Sequence, residues 1–261
     1  MKVEKDDRLI LLTNDDGLYA EGLNTLTELM QEFGKVVVIS TIDSRSGMSQ
    51  ALTVKMPIRV KLLNETETKR VYACSGTPTD GVKIAVNQLL ERKPEWVVSG
   101  INHGSNASVS VIYSGTMAAA IEGCLYGIDS VGFSLNDYSS NADFKASRKY
   151  VREVMNMLSN NKLPQGICLN VNIPSCKDSE IKGIKVCRQA RGNWREEFEK
   201  RKDPMGKTYY WLTGIFQNHE PESIDTDEWA LENNYVSVVP VSIDMTAHGF
   251  IDDLRKQFKN E

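Results

Sequence analysis

The chain has 261 residues, enough to bury a sizeable core as one large domain or two small ones. Charged residues make up 25% and hydrophobic residues 41%, an ordinary globular balance that argues against a disordered chain. The net charge is −4 with no long basic run, which counts against a nucleic-acid polymer or an anionic membrane surface as partner but not against a small phosphorylated substrate.

The opening segment, Met1 to Arg8, is charged and lacks the apolar core of a signal peptide. No apolar run approaches the ~18 residues needed to span a bilayer. The five cysteines, Cys74, Cys124, Cys168, Cys176 and Cys187, are odd in number and form no CxxC pair. They read as reduced thiols in a cytosolic protein.

Ile10-Leu11-Leu12 reads as a buried strand, followed by Thr13-Asn14-Asp15-Asp16-Gly17. Carboxylates are rarely left where an apolar strand ends unless something there pairs with them. Two adjacent acids, Asp15 and Asp16, with amide and hydroxyl oxygens nearby suit a hard cation such as Mg²⁺ or Mn²⁺. The competing reading is a surface turn in which Asp16 caps the next helix. That helix follows from Leu23, Leu26, Leu29, Met30 and Phe33, with Gly34 expected as its C′ glycine. Val36 to Ile39 is a second buried strand, which completes a βαβ unit.

The polar loop Ser40 to Gln50 leaves at the same sheet edge as the acids. Its hydroxyls can complete a metal shell and Arg45 can meet a phosphate; by composition it is equally a solvated loop. Leu52, Val54, Ile58, Val60 and Leu62 alternate with polar residues, so an antiparallel hairpin broken at Pro57 is expected. After a strand at Arg70 to Cys74, the turn Ser75 to Gly81 opens a helix that runs to Leu90. Its proline, hydroxyls and free N–H groups suit either an anion or an ordinary cap.

Pro94 to Asn102 is a third buried strand of the main sheet, and it ends in a dense loop containing Asn102, His103, Asn106 and Ser108. Ser114-Gly115-Thr116 then starts an alanine-rich helix, with hydroxyls, N–H groups and a favourable dipole end. Strands at Asp129 to Leu135, Gly166 to Pro174 and Ile181 to Cys187 surround a helix from Phe144 to Leu158, which together make a doubly wound α/β sheet with an extra hairpin. From Arg188 the texture changes to arginines interleaved with Trp194, Phe198, Tyr209, Tyr210 and Trp211, a pattern commoner at protein interfaces than in base stacking. A short helix through Leu231, a strand at Tyr235 to Pro240 and a closing helix from Phe250 to Phe258 finish the chain. His103, His219 and His248 have no zinc-site spacing; His103 is placed to assist proton transfer or simply to face solvent.

With these segments assembled, the chain resembles the SurE family, stationary-phase survival proteins that act as nucleoside monophosphate phosphatases. The resemblance rests on Thr13 to Gly17, Arg45-Ser46-Gly47, Gly76 to Asp80, Ser99-Gly100-Ile101-Asn102 with Asn106, and Tyr113 to Thr116. Leu169 to Pro174, Arg188-Gln189, Thr226-Asp227 and Tyr235-Val236-Ser237 add to it. The resemblance implies one divalent metal held by Asp15, Asp16, Ser46 and Asn102. It implies phosphate contacts at Asn106, Ser114, Gly115 and Thr116, with Asp15 or Asp16 orienting the water or acting as nucleophile. It further implies a Rossmann-like core over about 1–187 and an extension over about 188–261 exchanged between subunits of a homodimer or homotetramer. Nucleoside 5′-monophosphates are the expected substrates, with 3′-monophosphates and short polyphosphate as further ones. Family members often carry a glycine and an acid where Ser108 and Ser110 stand, a glycine at Ala118 and a cysteine at Gly81, differences that bear on loop shape and substrate preference. Paired acids after a first strand also occur in receiver domains, phosphoacceptor signalling modules. Those need an aspartate ending the middle strand, where this chain has Ser-Gly-Ile-Asn. A nucleotide-binding protein without turnover is the third reading.

Overall fold

The computed structural model describes residues 8–139 and 141–258, so the charged segment before Arg8 lies outside the described residues. The chain opens with β1 (Leu9–Thr13), α1 (Glu21–Met30) and β2 (Lys35–Thr41), the expected βαβ unit. The hairpin β3 (Val60–Glu65) and β4 (Lys69–Cys74) comes next, then α2 (Pro78–Ile84), extended by a π-helical turn to Leu89. β5 (Trp96–His103), α3 (Ser110–Tyr113), α4 (Gly115–Leu125), β6 (Asp129–Asn136), α5 (Lys145–Asn160), β7 (Ile167–Pro174) and β8 (Ile184–Val186) follow. Beyond them lie β9 (Gly192–Arg195), β10 (Phe198–Lys202), β11 (Thr208–Leu212), β12 (Ile215–Asn218), α6 (Asp227–Glu232), β13 (Val236–Ser242) and α7 (Ile251–Gln257).

Nine strands form one sheet in the order β3-β4-β2-β1-β5-β6-β7-β13-β8. The run from β4 to β7 is parallel. β3 is antiparallel to β4, and β13 is antiparallel to β7. Alternate residues of β1 supply the two faces. Ile10 and Leu12 join a core with α1 and α5, whereas Leu11 faces Val82 and Ala85 of the α2 segment and Ala119 of α4. All three β1 side chains are fully buried, worth about 1.5–3 kcal/mol each. From β1 the chain builds outward through β2 and β4, then returns to lay down β5, β6 and β7 on the other side. The reversal falls between β1 and β5, and open α/β sheets bind ligands at such a point, outside the carboxyl ends of the strands.

Two local expectations change. Gly34 does not adopt a left-handed C′ conformation; α1 ends at Gln31 in the ordinary helical region. A Cβ at Gly34 would lie 2.5 Å from the carbonyl oxygen of Arg8, so close chain approach is what excludes a side chain there. The hairpin does not include Leu52 or Val54. Residues 51–59 are irregular because their polar groups bind side chains: Ala51 O accepts from Thr77 Oγ1, Thr53 N donates to Asp80, and Arg59 N donates to Ser75 Oγ. After residue 188 the chain forms two small antiparallel pairs, β9 with β12 and β10 with β11, before β13 returns to the main sheet. Phe198, Tyr210, Trp211 and Leu212 on the β10–β11 pair are exposed. Among the described residues no helix is long and apolar enough to cross a membrane.

Candidate active site

Thr13 of β1 lies opposite Ser99 of β5, so the turns that leave these strands run side by side. Asn14 locks the first turn. Its Nδ2 donates to Gly17 O at 3.0 Å, and its Oδ1 accepts from Ser40 Oγ at 2.6 Å, which ties the turn to the end of β2.

Asp15 is 2% exposed. Burial raises its pKa; the Thr116 hydroxyl, which donates to Oδ1 at 2.6 Å, and the backbone amides of Gly115 and Thr116 pull the other way. Asp16 accepts from the backbone N–H of His103 at 2.9 Å. Burial, then the charge of Asp15, pushes the Asp16 carboxyl up to about 6 against that bond. No lysine or arginine contributes to either shift. Two neighbouring desolvated carboxylates without a cationic partner are costly, and the cost is relieved when a cation sits between them.

The surrounding donors are neutral oxygens. Asn102 donates through Nδ2 to Gly104 O at 2.7 Å, which leaves Oδ1 3.4 Å from the Thr116 hydroxyl and thus beside Asp15. Arg45 N donates to Asp15 O at 2.7 Å, which brings the loop carrying Ser46 to the acid turn. Ser46 is exposed, with its hydroxyl 3.0 Å from that of Ser44. Beyond Ser46 the loop is fastened twice more. Ser49 binds the carbonyls of Ile112 and Tyr113, and Thr53 N reaches Asp80. Among the described residues no three His, Cys, Asp or Glu side chains gather into a cluster. Two carboxylates completed by an amide and a hydroxyl fit a hard oxygen-seeking cation, not a zinc centre.

α4 starts against this turn. An added Cβ on Gly115 would lie 2.8 Å from both Cβ and Oδ2 of Asp15, so only glycine lets the helix start approach the acid this closely. Ser114 caps the helix by accepting from Met117 N at 3.0 Å. Its own O–H stays available as a donor. Asn106 is 6% exposed, and its Nδ2 donates to Ser134 Oγ at 2.8 Å. Its backbone is gripped from β7: Asn106 N donates to Asn172 Oδ1, and its carbonyl accepts from Asn170 Nδ2, each at 2.8 Å. The signal for these two positioning residues was a pair of amides at consecutive same-face positions of a strand that is otherwise apolar.

The remaining candidates fare differently. At α2 the N–H groups of Thr77 and Asp80 are taken by a capping box between these two residues. The Arg45 side chain is exposed. The His103 ring packs edge-on against Phe144 at 6.2 Å; its backbone N–H bonds Asp16, and its charge also opposes the upward shift of that carboxyl. All five cysteines are free, and burial pushes Cys168 to about 12 and Cys187 to about 11, which leaves these two inert as nucleophiles.

The fold and the site together define a doubly wound α/β protein with an acidic, oxygen-lined centre at its switch point. A family model described as survival protein SurE matches residues 10–196, and the chain belongs to the SurE family. It is 52% identical to the 5′-nucleotidase SurE of Christiangramia forsetii, over 99% of this chain and 100% of that one. It is 51% identical to the 5′-nucleotidase SurE of Flavobacterium psychrophilum, over 94% and 96%. The crystal structure of the SurE protein from Aquifex aeolicus superposes with a TM-score of 0.82 at 35% identity, covering 95% of this chain and 99% of that one.

Proposed function

We propose that the chain is a metal-dependent 5′-nucleotidase that hydrolyses nucleoside 5′-monophosphates to nucleoside and phosphate, and that it also accepts 3′-monophosphates and short polyphosphate. The observation that carries this reading is the buried acid pair at the switch point, to which no lysine or arginine contributes, with the Thr116 hydroxyl standing between Asp15 and Asn102. The names of the relatives point to the same substrate class.

Asp15, Asp16, Ser46 and Asn102 would hold one Mg²⁺ or Mn²⁺. When bound, such a cation supplies positive charge against the phosphoryl oxygens and makes a nearby water more acidic. Asn106 and the Ser114 O–H bind the phosphate from the helix side, where the dipole of α4 favours negative charge. Gly115 and Thr116 act at the same end, by orienting Asp15 and by presenting the helix start to the phosphoryl group. In the reaction a water oxygen bonds to phosphorus while the ester P–O bond breaks. The proton lost by the water ends on the departing nucleoside oxygen. Asp15 is held by the Thr116 hydroxyl and by the backbone amides of Gly115 and Thr116, and Asp16 by the His103 N–H, which supports Asp16 as the acid that orients the water.

The exposed aromatic pair β10–β11 and the unbonded thiols support two further parts of the reading. The first is self-association through the segment after about residue 188, as a dimer or tetramer, measurable by light scattering. The second is residence in the reducing cytoplasm.

The decisive experiment is a screen of nucleoside 5′- and 3′-monophosphates with Mg²⁺ and Mn²⁺, run on the wild-type chain and on Asp15→Asn. Catalytic release of phosphate by the wild type and loss of turnover in a folded Asp15→Asn variant are expected. Near-normal turnover in that variant at saturating metal overturns the assignment. A single stoichiometric phosphorylation in place of turnover would instead identify a receiver-like module.

A further inference from the structure

We infer that Asp227 is a positioning residue: it locks the loop that carries Asn106 against the root of the C-terminal extension, so that phosphate binding depends on how the extension is seated. The inference rests on the nucleotidase reading for its kinetic consequence, but not for its structural one.

Asp227 opens α6 and is 1% exposed. Its Oδ2 accepts from Ser108 N at 2.8 Å. Its Oδ1 accepts from Ala190 N at 2.8 Å and from Glu228 N at 2.9 Å. One carboxylate therefore joins three segments distant in sequence. The bond is not needed to cap α6, because Thr226 already accepts from Trp229 N. Burial raises the Asp227 pKa, and only backbone N–H groups offset it. Keeping an acid in such a place is expensive, so its use lies in the bonds it makes.

Those bonds converge on the phosphate loop. Ser108 is fully buried, holds a left-handed φ of 51°, and donates through Oγ to Ala190 O at 2.9 Å. It stands two residues past Asn106, whose N–H and carbonyl are held from β7. The loop is thus clamped from two sides, by the β7 amides at Asn106 and by Asp227 at Ser108. On the extension side the root is stiff. Arg188 O accepts from Asp227 N at 3.1 Å, Arg188 N donates to Asp225 O at 2.9 Å, and the Arg188 guanidinium grips Glu220 and Asp225. A displacement of residues 188–190 is transmitted to Ser108 through the Asp227 carboxylate and through the direct bond of Ser108 Oγ to Ala190 O.

Asp227→Asn tests this at nearly constant shape. If the amide oxygen stays on Ala190 and Glu228, its NH₂ faces the Ser108 N–H and the loop is released. The expected result is a fall of about 10- to 100-fold in kcat/KM for AMP, carried mainly by KM. Mn²⁺ affinity, set by other residues, stays at the wild-type value. Amide exchange of the peptide spanning 104–113 accelerates in the absence of any substrate. Ser108→Ala, which removes only the bond to Ala190 O, moves KM and exchange the same way but less, and serves if Asp227→Asn fails to fold. Wild-type KM with wild-type exchange in a folded variant overturns the inference. So does a loss confined to kcat, or a parallel loss of Mn²⁺ affinity and melting temperature, which would make Asp227 a stability residue only. If the wild-type chain turns over no nucleotide, the nucleotidase reading falls while the exchange comparison still judges Asp227.

Discussion

Thr116→Val removes one hydroxyl from the centre of the site and keeps the side-chain shape. Thr116 is fully buried, and its hydroxyl donates to Asp15 at 2.6 Å while lying 3.4 Å from the Asn102 oxygen. A hydrogen bond to a charged group is worth about 1.5–3 kcal/mol. For a chain of 261 residues the melting entropy is roughly 0.5 kcal/mol per degree, so the metal-free variant should melt about 3–6 °C lower. The effect on the acid has a definite sign. The Thr116 hydroxyl is the foremost group opposing the desolvation of Asp15, so without it the carboxyl holds its proton to still higher pH. A cation must then displace that proton. Mn²⁺ affinity near pH 6 should fall about tenfold to a hundredfold, and it should recover partly as the pH is raised to 8. Calorimetric titration of the metal-free protein at both pH values, with melting curves alongside, measures both quantities. Wild-type Mn²⁺ affinity at pH 6 in a folded variant would refute the claim that Thr116 prepares Asp15 for a cation.

Asp80→Ala removes the capping box of α2 and the anchor for Thr53 N together. Loss of the cap should cost about 1 kcal/mol, or roughly 2 °C. Release of the Ser46 loop should weaken Mn²⁺ binding as well; a lower melting temperature with unchanged Mn²⁺ affinity would show that Asp80 is a cap and nothing more. Glu228 is pushed up to about 7 by burial, then by the charges of Asp227 and Glu232. An acid whose folded pKa lies above its unfolded value of 4.5 costs nothing below pH 4.5 and destabilises progressively as the pH rises to 7. Glu228→Gln should therefore raise the melting temperature at pH 8, by up to about 3 kcal/mol in stability, and change little at pH 4.5. Equal gains at the two pH values would sink that account.

The sheet was legible because its strands are continuous apolar runs. Ile10 to Leu12, Val36 to Ile39 and Trp96 to Val98 can only be buried, and each ends in polar residues that mark the rim. The acid pair was legible for the same reason: Asp15 stands two residues past the end of a buried strand. What could not be read were bonds between segments far apart in sequence. Leu52 and Val54 alternate as a strand would, yet Thr77 and Asp80 take the backbone groups a ladder needs. The pair β9–β12 alternates half-buried and exposed positions over only four residues a strand, and β10–β11 is exposed throughout, so no sustained periodicity marks their edges beyond the aromatic run at Thr208 to Leu212. Gly34 and Gly115 share a residue type but exclude a side chain against different neighbours, a fact that only the packed chain contains.

A common physical demand links the starts of α2, α4 and α6. α2, α4 and α6 each begin with N–H groups that lack partners within the helix. At α2 the acceptors are Thr77 and Asp80, and they also hold the Ser46 loop. At α6 they are Thr226 and Asp227, and Asp227 also holds Ser108 and Ala190. In both, a side chain of the helix start itself fills the place an anion would take and spends its spare valence on a neighbouring loop. At α4 the acceptor comes from outside, from Asp15 in the turn after β1, while the Ser114 hydroxyl accepts from Met117 and keeps its O–H free. A helix start whose acceptor belongs to another segment is the one at which the proposed phosphate and cation sites meet. The other two starts are closed, and their closure fixes the loops on either side of the one that stays open.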